Sequence, residues 1–124
     1  MAVVVTNDIV EFAADENGSE VAKALITTEV PEGVKDAIRG LTVAAWGQSE
    51  VWVDISEDGG DTWETKLSVL LPAEGTLHFT LPTPLRIDGE QEDETVLTQW
   101  RVSFAQPAAQ PIRITVFISR ESYA

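Results

Sequence analysis

The 124-residue chain carries 21 acidic and 8 basic side chains, for a formal charge of −13, and 44% of it is apolar. That length bounds it to one domain, 1–124, and the apolar fraction with four tryptophans supplies a core, which excludes wholesale disorder. With no cysteine, disulfide scaffolds and thiolate metal sites are excluded too.

The start, Met1-Ala2-Val3-Val4-Val5-Thr6, lacks the basic and long apolar regions of a secretory signal. No stretch approaches the ~20 apolar residues of a membrane-spanning helix. The expected location is therefore a virion or the cytoplasm. Residues 3–6 and 9–13 read as strands broken at Asn7-Asp8. Residues 20–30 fit a helix in their first half (Val21, Ala24, Leu25) and a strand in their second (Ile26, Thr28, Val30). Val34, Ala37 and Ile38, between Gly33 and Gly40, fit one helical turn.

From residue 40 onward, short alternating runs separated by Gly, Pro, Asn and Asp predict strands. Leu41, Val43 and Ala45 face inward, as do Val51, Val53 and Ile55, with Glu50, Trp52, Asp54 and Ser56 outward. A hairpin through Gly47-Gln48-Ser49 would pair Ala45 with Val51 and Val43 with Val53. Trp46 and Trp52 would then lie diagonally across its outer side. Trp63, Thr65, Leu67, Val69 and Leu71 share a face, as do Leu77, Phe79 and Leu81. Leu85 and Ile87 form an edge-like piece before residues 88–94, where five carboxylates in seven residues predict a solvated loop. Two clear strands follow, with Val96, Thr98, Trp100, Val102 and Phe104 on one face of the first and Ile112, Ile114, Val116 and Ile118 on one face of the second. The fold class is all-β, a single antiparallel β-sandwich, jelly-roll-like.

Ser56-Glu57-Asp58-Gly59-Gly60-Asp61-Thr62-Trp63 matches S-x-D-x-G-x-T-W. It resembles the Asp-box hairpin of sialidases and the strand-turn-strand signature of galactose-binding-like jelly rolls and immunoglobulin-like sandwiches. The resemblance implies a structural turn of Ser56, Asp58, Gly60, Thr62 and Trp63, with Trp63 entering the core and no catalysis carried over. A single copy does not build a propeller. Asp54-x-Ser56-x-Asp58-Gly59 also begins like an EF-hand loop, which makes Asp54, Asp58 and Asp61 calcium candidates. Its twelfth position is Thr65, however, and strands flank it where helices are required. No other cofactor is implied.

His78 is the one histidine and alternates to the outward face, so a His/Cys metal cluster is excluded and a Ser-His-Asp triad would rest on it alone. No nucleophile elbow, phosphate loop or dinucleotide fingerprint is present, and the chain is read as a non-enzyme. The eight basic residues are scattered, no two adjacent, which disfavours nucleic acid and anionic membranes as partners. The outward Trp46 and Trp52 have three readings: covered by the N-terminal region, buried in a subunit interface, or stacking on sugar with Glu50, Asp54 or Gln48 bonding hydroxyls. Phe117 and Leu97 enlarge the outward apolar area and favour the interface. The expectation is a structural or assembly protein, a virion accessory component of the phage head-decoration or tail kind. It would act as a homo-oligomer, a trimer being favoured. A carbohydrate-binding module and a calcium-stabilised adhesion domain are the alternatives.

Overall fold

The period-two alternation of the sequence becomes strands throughout. The computed structural model describes residues 3–14, 23–105 and 112–123. Ten strands run among them: β1 (Val3–Ala14), β2 (Lys23–Val30), β3 (Val34–Ala45), β4 (Ser49–Ser56), β5 (Glu64–Leu71), β6 (Gly75–Asp88), β7 (Gln91–Glu92), β8 (Thr95–Val96), β9 (Thr98–Ala105) and β10 (Ile112–Tyr123). Every pairing is antiparallel. One sheet has the order β1-β10-β3-β6, the other β2-β9-β4-β5, and β7-β8 is a separate small hairpin. Strands adjacent in sequence thus alternate between the sheets at the start of the chain, which is the jelly-roll pattern of a two-sheet sandwich.

The inner faces meet in one core. Ile38, Leu41, Val43, Ile114 and Val116 from the first sheet pack with Val30, Val51, Val53, Trp100, Val102 and Phe104 from the second. The inward alternation expected for β4, β9 and β10 is borne out, but Asp54 and Ser56, expected on the solvent side of β4, are buried. The expected hairpin between the third and fourth strands is not. Ala45 pairs with Ile112 and Gly75, whereas Val51 pairs with Val69 and Phe104. Residues 46–48 therefore cross from one sheet to the other. Gly47 and Gln48 serve a crossover as well as a tight turn, so loop composition did not separate the two.

The helical turn at residues 34–38 is also replaced, by the first half of β3. Its inward positions are Asp36 and Ile38, so a carboxylate interrupts the apolar alternation there. A bulge at Arg39 then moves the inward set from even to odd positions, Leu41, Val43 and Ala45. The supposed break at Asn7-Asp8 lies within the continuous β1, and residues 23–30 are strand; residues 15–22 lie outside the described residues. Leu85 and Ile87 belong to the long edge strand β6, in which residues 81–84 bulge out opposite Arg39. Pro82 and Pro84 fall in that bulge, where no ladder donor is required.

Asp36 is buried, and three donors satisfy it. Trp100 Nε1 donates to its Oδ2 at 2.9 Å, and the Arg120 guanidinium donates to Oδ1 at 2.7 Å and Oδ2 at 2.9 Å. Arg120 also donates to the Glu29 carbonyl at 3.1 Å. Asp36 and Arg120 belong to one sheet, Trp100 and Glu29 to the other, so this cluster ties the two layers together.

Candidate functional site

The β4–β5 connection folds as the Ser-x-Asp-x-Gly-x-Thr-Trp spacing requires. Ser56 Oγ donates to Asp58 Oδ1 at 2.8 Å and accepts the Gly60 N–H at 2.9 Å. Thr62 closes the loop, its N–H donating to Asp58 Oδ1 at 2.8 Å and its hydroxyl to Asp58 Oδ2. Gly59 and Gly60 adopt φ of 76° and 98°, the left-handed conformation that glycine supplies without strain. These donors, with the Thr62 hydroxyl largest, then the Thr62 N–H and Ser56, hold the Asp58 carboxyl down at about 2 from 3.8.

Trp63 does not enter the core. A bulge at Lys66 pairs Leu67 with Val53 but Thr65 with Asp54, which turns Thr65 and Trp63 onto the outer face. There the half-buried indole donates to the Gly60 carbonyl at 3.0 Å and lies under the Arg101 guanidinium, 4.1 Å from the ring centroid. Arg101 in turn donates to Asp54 Oδ2 at 3.1 Å. Asp54 is buried and also accepts from Thr65 Oγ1 at 2.7 Å and Ser103 Oγ at 3.4 Å. One polar network thus runs from the loop into β9. Asp61 is exposed beside it. Among the described residues, no three His, Cys, Asp or Glu side chains gather where they could hold a metal ion.

The aromatic residues expected to form one contact surface are placed on three. Trp46 sits at the crossover after β3, 56% exposed, beside Glu74, Gly75 and Thr76. Trp52 is half-buried on the outer face of the β2-β9-β4-β5 sheet, between Ser68 and Ser103. Its Nε1 donates to Glu50 Oε1 at 3.1 Å, which also accepts from Ser68 Oγ at 3.2 Å. Leu70, 57% exposed, stands opposite Glu50 on the same face. Phe117 lies on the outer face of the other sheet, opposite Gly40, and lines a shallow groove of about 360 Å³ with Arg39, Thr42, His78 and Thr80. His78 is exposed, as expected, and bonds Thr42 Oγ1 at 2.9 Å. Leu97 is not a neighbour of Phe117: its carbonyl accepts the Gly59 N–H at 2.9 Å, near the β4–β5 loop.

The acidic run forms the β7–β8 hairpin with Glu90, Glu92, Asp93 and Glu94 exposed. Asp93 takes φ 55° at its turn. The Leu97 N–H donates to the Glu90 carbonyl at 2.9 Å, and the Glu90 N–H donates to Thr98 Oγ1 at 2.9 Å. What the sequence reading missed is the regrouping of scattered cations: Lys35, Arg39 and Arg86 line one shallow pocket on the outer face of the β1-β10-β3-β6 sheet. Their separation in the chain hides this, because only the β3–β6 register brings residue 86 beside residue 37.

No protein-family model matches the sequence, and no curated protein matches it. Solved structures do. A subunit of Bacillus endospore appendages, described as disulfide-linked pili, is similar at a TM-score of 0.58 and 10% identity, over 100% of this chain and 93% of that one. The STIV MCP is similar at a TM-score of 0.53 and 10% identity, over 94% of this chain and 41% of that one. TmCBM61, solved with β-1,4-galactotriose, is similar at a TM-score of 0.43 and 15% identity, over 94% of this chain and 86% of that one. At these identities the likeness is one of fold.

Proposed function

We propose that this chain is a non-enzymatic assembly subunit, a virion accessory component of the head-decoration or tail kind, that works by burying surface between copies of itself. The observation that carries the reading is the jelly-roll order of its two sheets. The pilus subunit and the STIV capsid protein share this architecture and are themselves building blocks. Exposed apolar side chains support it, above all Trp46 and Leu70, together with the half-buried Trp52 and Phe117. The pili are described as disulfide-linked, whereas this chain has no cysteine, so its copies associate without disulfide links. Trp52 and Phe117 lie on opposite outer faces, which suits a head-to-tail contact; a trimer is the expected oligomer if the rotation of that contact closes.

Light scattering of the purified protein tests this. The expected mass is three times that of one chain, and a strict monomer at high concentration overturns the reading. A sugar platform built on paired Trp46 and Trp52 loses its basis, because the two indoles no longer share a hairpin. Retention on a polysaccharide that is lost in Trp52→Ala and kept in His78→Ala is the result that would restore it.

A further inference from the structure

We propose that β5 pairs edge to edge with β5 of a second copy of this chain, antiparallel about a two-fold axis at Val69. This rests on the assembly reading above only in needing like copies, and it adds a second contact to the head-to-tail one. Four strands end the two sheets, β1 and β6 in one, β2 and β5 in the other. Each leaves a row of backbone donors and acceptors open to another strand unless something blunts it. β6 is interrupted by its bulge with Pro82 and Pro84, β1 carries Asp8 and Glu11 within its span, and β2 turns Glu29 to solvent. In β5 the bulge at Lys66 and the Lys66–Glu64 ion pair, at 3.0 Å, blunt the first half alone. The second half, Leu67-Ser68-Val69-Leu70-Leu71, holds no charge and no proline in a chain of net charge −13. Two copies that repel elsewhere can approach there. Its outward Leu70 is 57% exposed, with the exposed Ser68 beside it.

The core is incompletely covered along the same side. β5 and β6 each end a sheet and are joined by residues 72–74, so together they flank one opening of the sandwich. There Phe79 stands opposite the inward Leu41 yet is 36% exposed, and Leu67, Leu77 and Leu81 are only partly buried. A strand added to β5 brings its own inward side chains to that opening, so the occupant needs apolar residues at alternate positions and no charge between them. Leu67, Val69 and Leu71 of a second β5 meet both needs. Pairing about Val69 sets Leu67 opposite Leu71, Ser68 opposite Leu70 and Val69 opposite its own copy, so the uncharged segment meets itself. Odd positions meet odd ones, which keeps every inward residue inward and joins two four-stranded sheets into one. Five residues from each copy make a small contact, weak in dilution and strengthened where an assembled particle holds copies close together.

Light scattering over a range of concentrations tests this, with circular dichroism confirming the fold of each variant. The parent's molar mass should double between dilution and high concentration. One variant carries Ser68→Lys and Leu70→Lys, for a net charge of −13 + 2 = −11, and a second carries Ser68→Glu and Leu70→Glu, for −13 − 2 = −15. In the proposed register each sets like charges directly opposite one another twice, which should raise the concentration needed for doubling about tenfold. The lysine variant should do so although its net repulsion is lower than the parent's. An equimolar mixture of the two variants sets lysine opposite glutamate and should double as the parent does. A parent whose mass never doubles, a lysine variant that doubles like the parent, or a mixture that does not recover overturns the pairing. If the parent holds at three chains and never doubles, the pairing fails while the trimer stands. If it rises from one chain to two and the variants behave as expected, the pairing stands and the trimer fails. A parent that never doubles but binds the extended peptide (Val-Thr)4 assigns the edge to a foreign strand and overturns the second copy as occupant.

Discussion

Asp36 illustrates how much one side chain can carry. Its carboxylate is out of solvent, and every donor it meets comes from elsewhere in the fold, 64 and 84 residues away. Removing it leaves the Arg120 guanidinium and the Trp100 N–H without an acceptor, so Asp36→Ala costs about 3–5 kcal/mol in urea unfolding. Trp100→Phe, which deletes one donor and keeps the ring, costs about 1 kcal/mol in the same assay. Asp58 makes a different point, because its partners are local and it is exposed. Its folded value, about 2, lies below the ordinary 3.8, so its contribution is present above pH 3.8 and fades as pH falls through 2. Thr62→Val removes the largest cause, and the Asp58 carboxyl titration followed by NMR then moves up towards 3.8. The Asp58 turn was legible in the sequence because the bonds of its carboxylate to Ser56 and Thr62 fall within eight consecutive residues. The Asp36 cluster was not, because an inward carboxylate can be recognised only once its distant partners are known.

Among the elements, the strands with uninterrupted alternation were readable, and those with an extra residue were not. β9 and β10 keep their inward residues in the expected phase. Lys66 in β5 and Arg39 in β3 each insert one residue, and each inverts the sidedness of what lies beyond it. Trp63 was assigned to the core for this reason alone. The bulge at Arg39 also brings strands unusually close at Gly40, where a Cβ would stand 2.6 Å from the Phe79 carbonyl oxygen. Gly40→Ala therefore forces β3 and β6 apart and lowers stability by about 1–3 kcal/mol, read as a shift in the urea midpoint. The same substitution at Gly33 meets no atom within 4 Å, and its cost comes from φ 84° alone.

For the molecule as a whole, composition and spacing reached the sandwich but not its wiring. Nothing in residues 46–48 distinguishes a turn within one sheet from a passage between two, and the placement of Trp46 and Trp52 turned on that distinction. The three dispersed cations Lys35, Arg39 and Arg86 became neighbours by the same wiring. We also propose that the fold needs no metal, since the oxygens of Asp54 and Asp58 already accept hydrogen bonds from the chain's own donors. Melting curves in EDTA and in calcium then share one midpoint, and a clear drop on chelation would reveal a bound cation.

The strand order also bears on how the protein is made. β1 pairs only with β10 and β2 only with β9, while β3 and β4 each need one of those late strands as a second partner. A nascent chain emerging from the ribosome can therefore pair β4 with β5 and β3 with β6, but its first two strands wait for residues 98–123. Such non-local closure is slow and leaves apolar edges open in the interval, when chaperones would hold them. A fragment that stops at residue 97 should accordingly show no cooperative thermal transition, even though it holds eight of the ten strands.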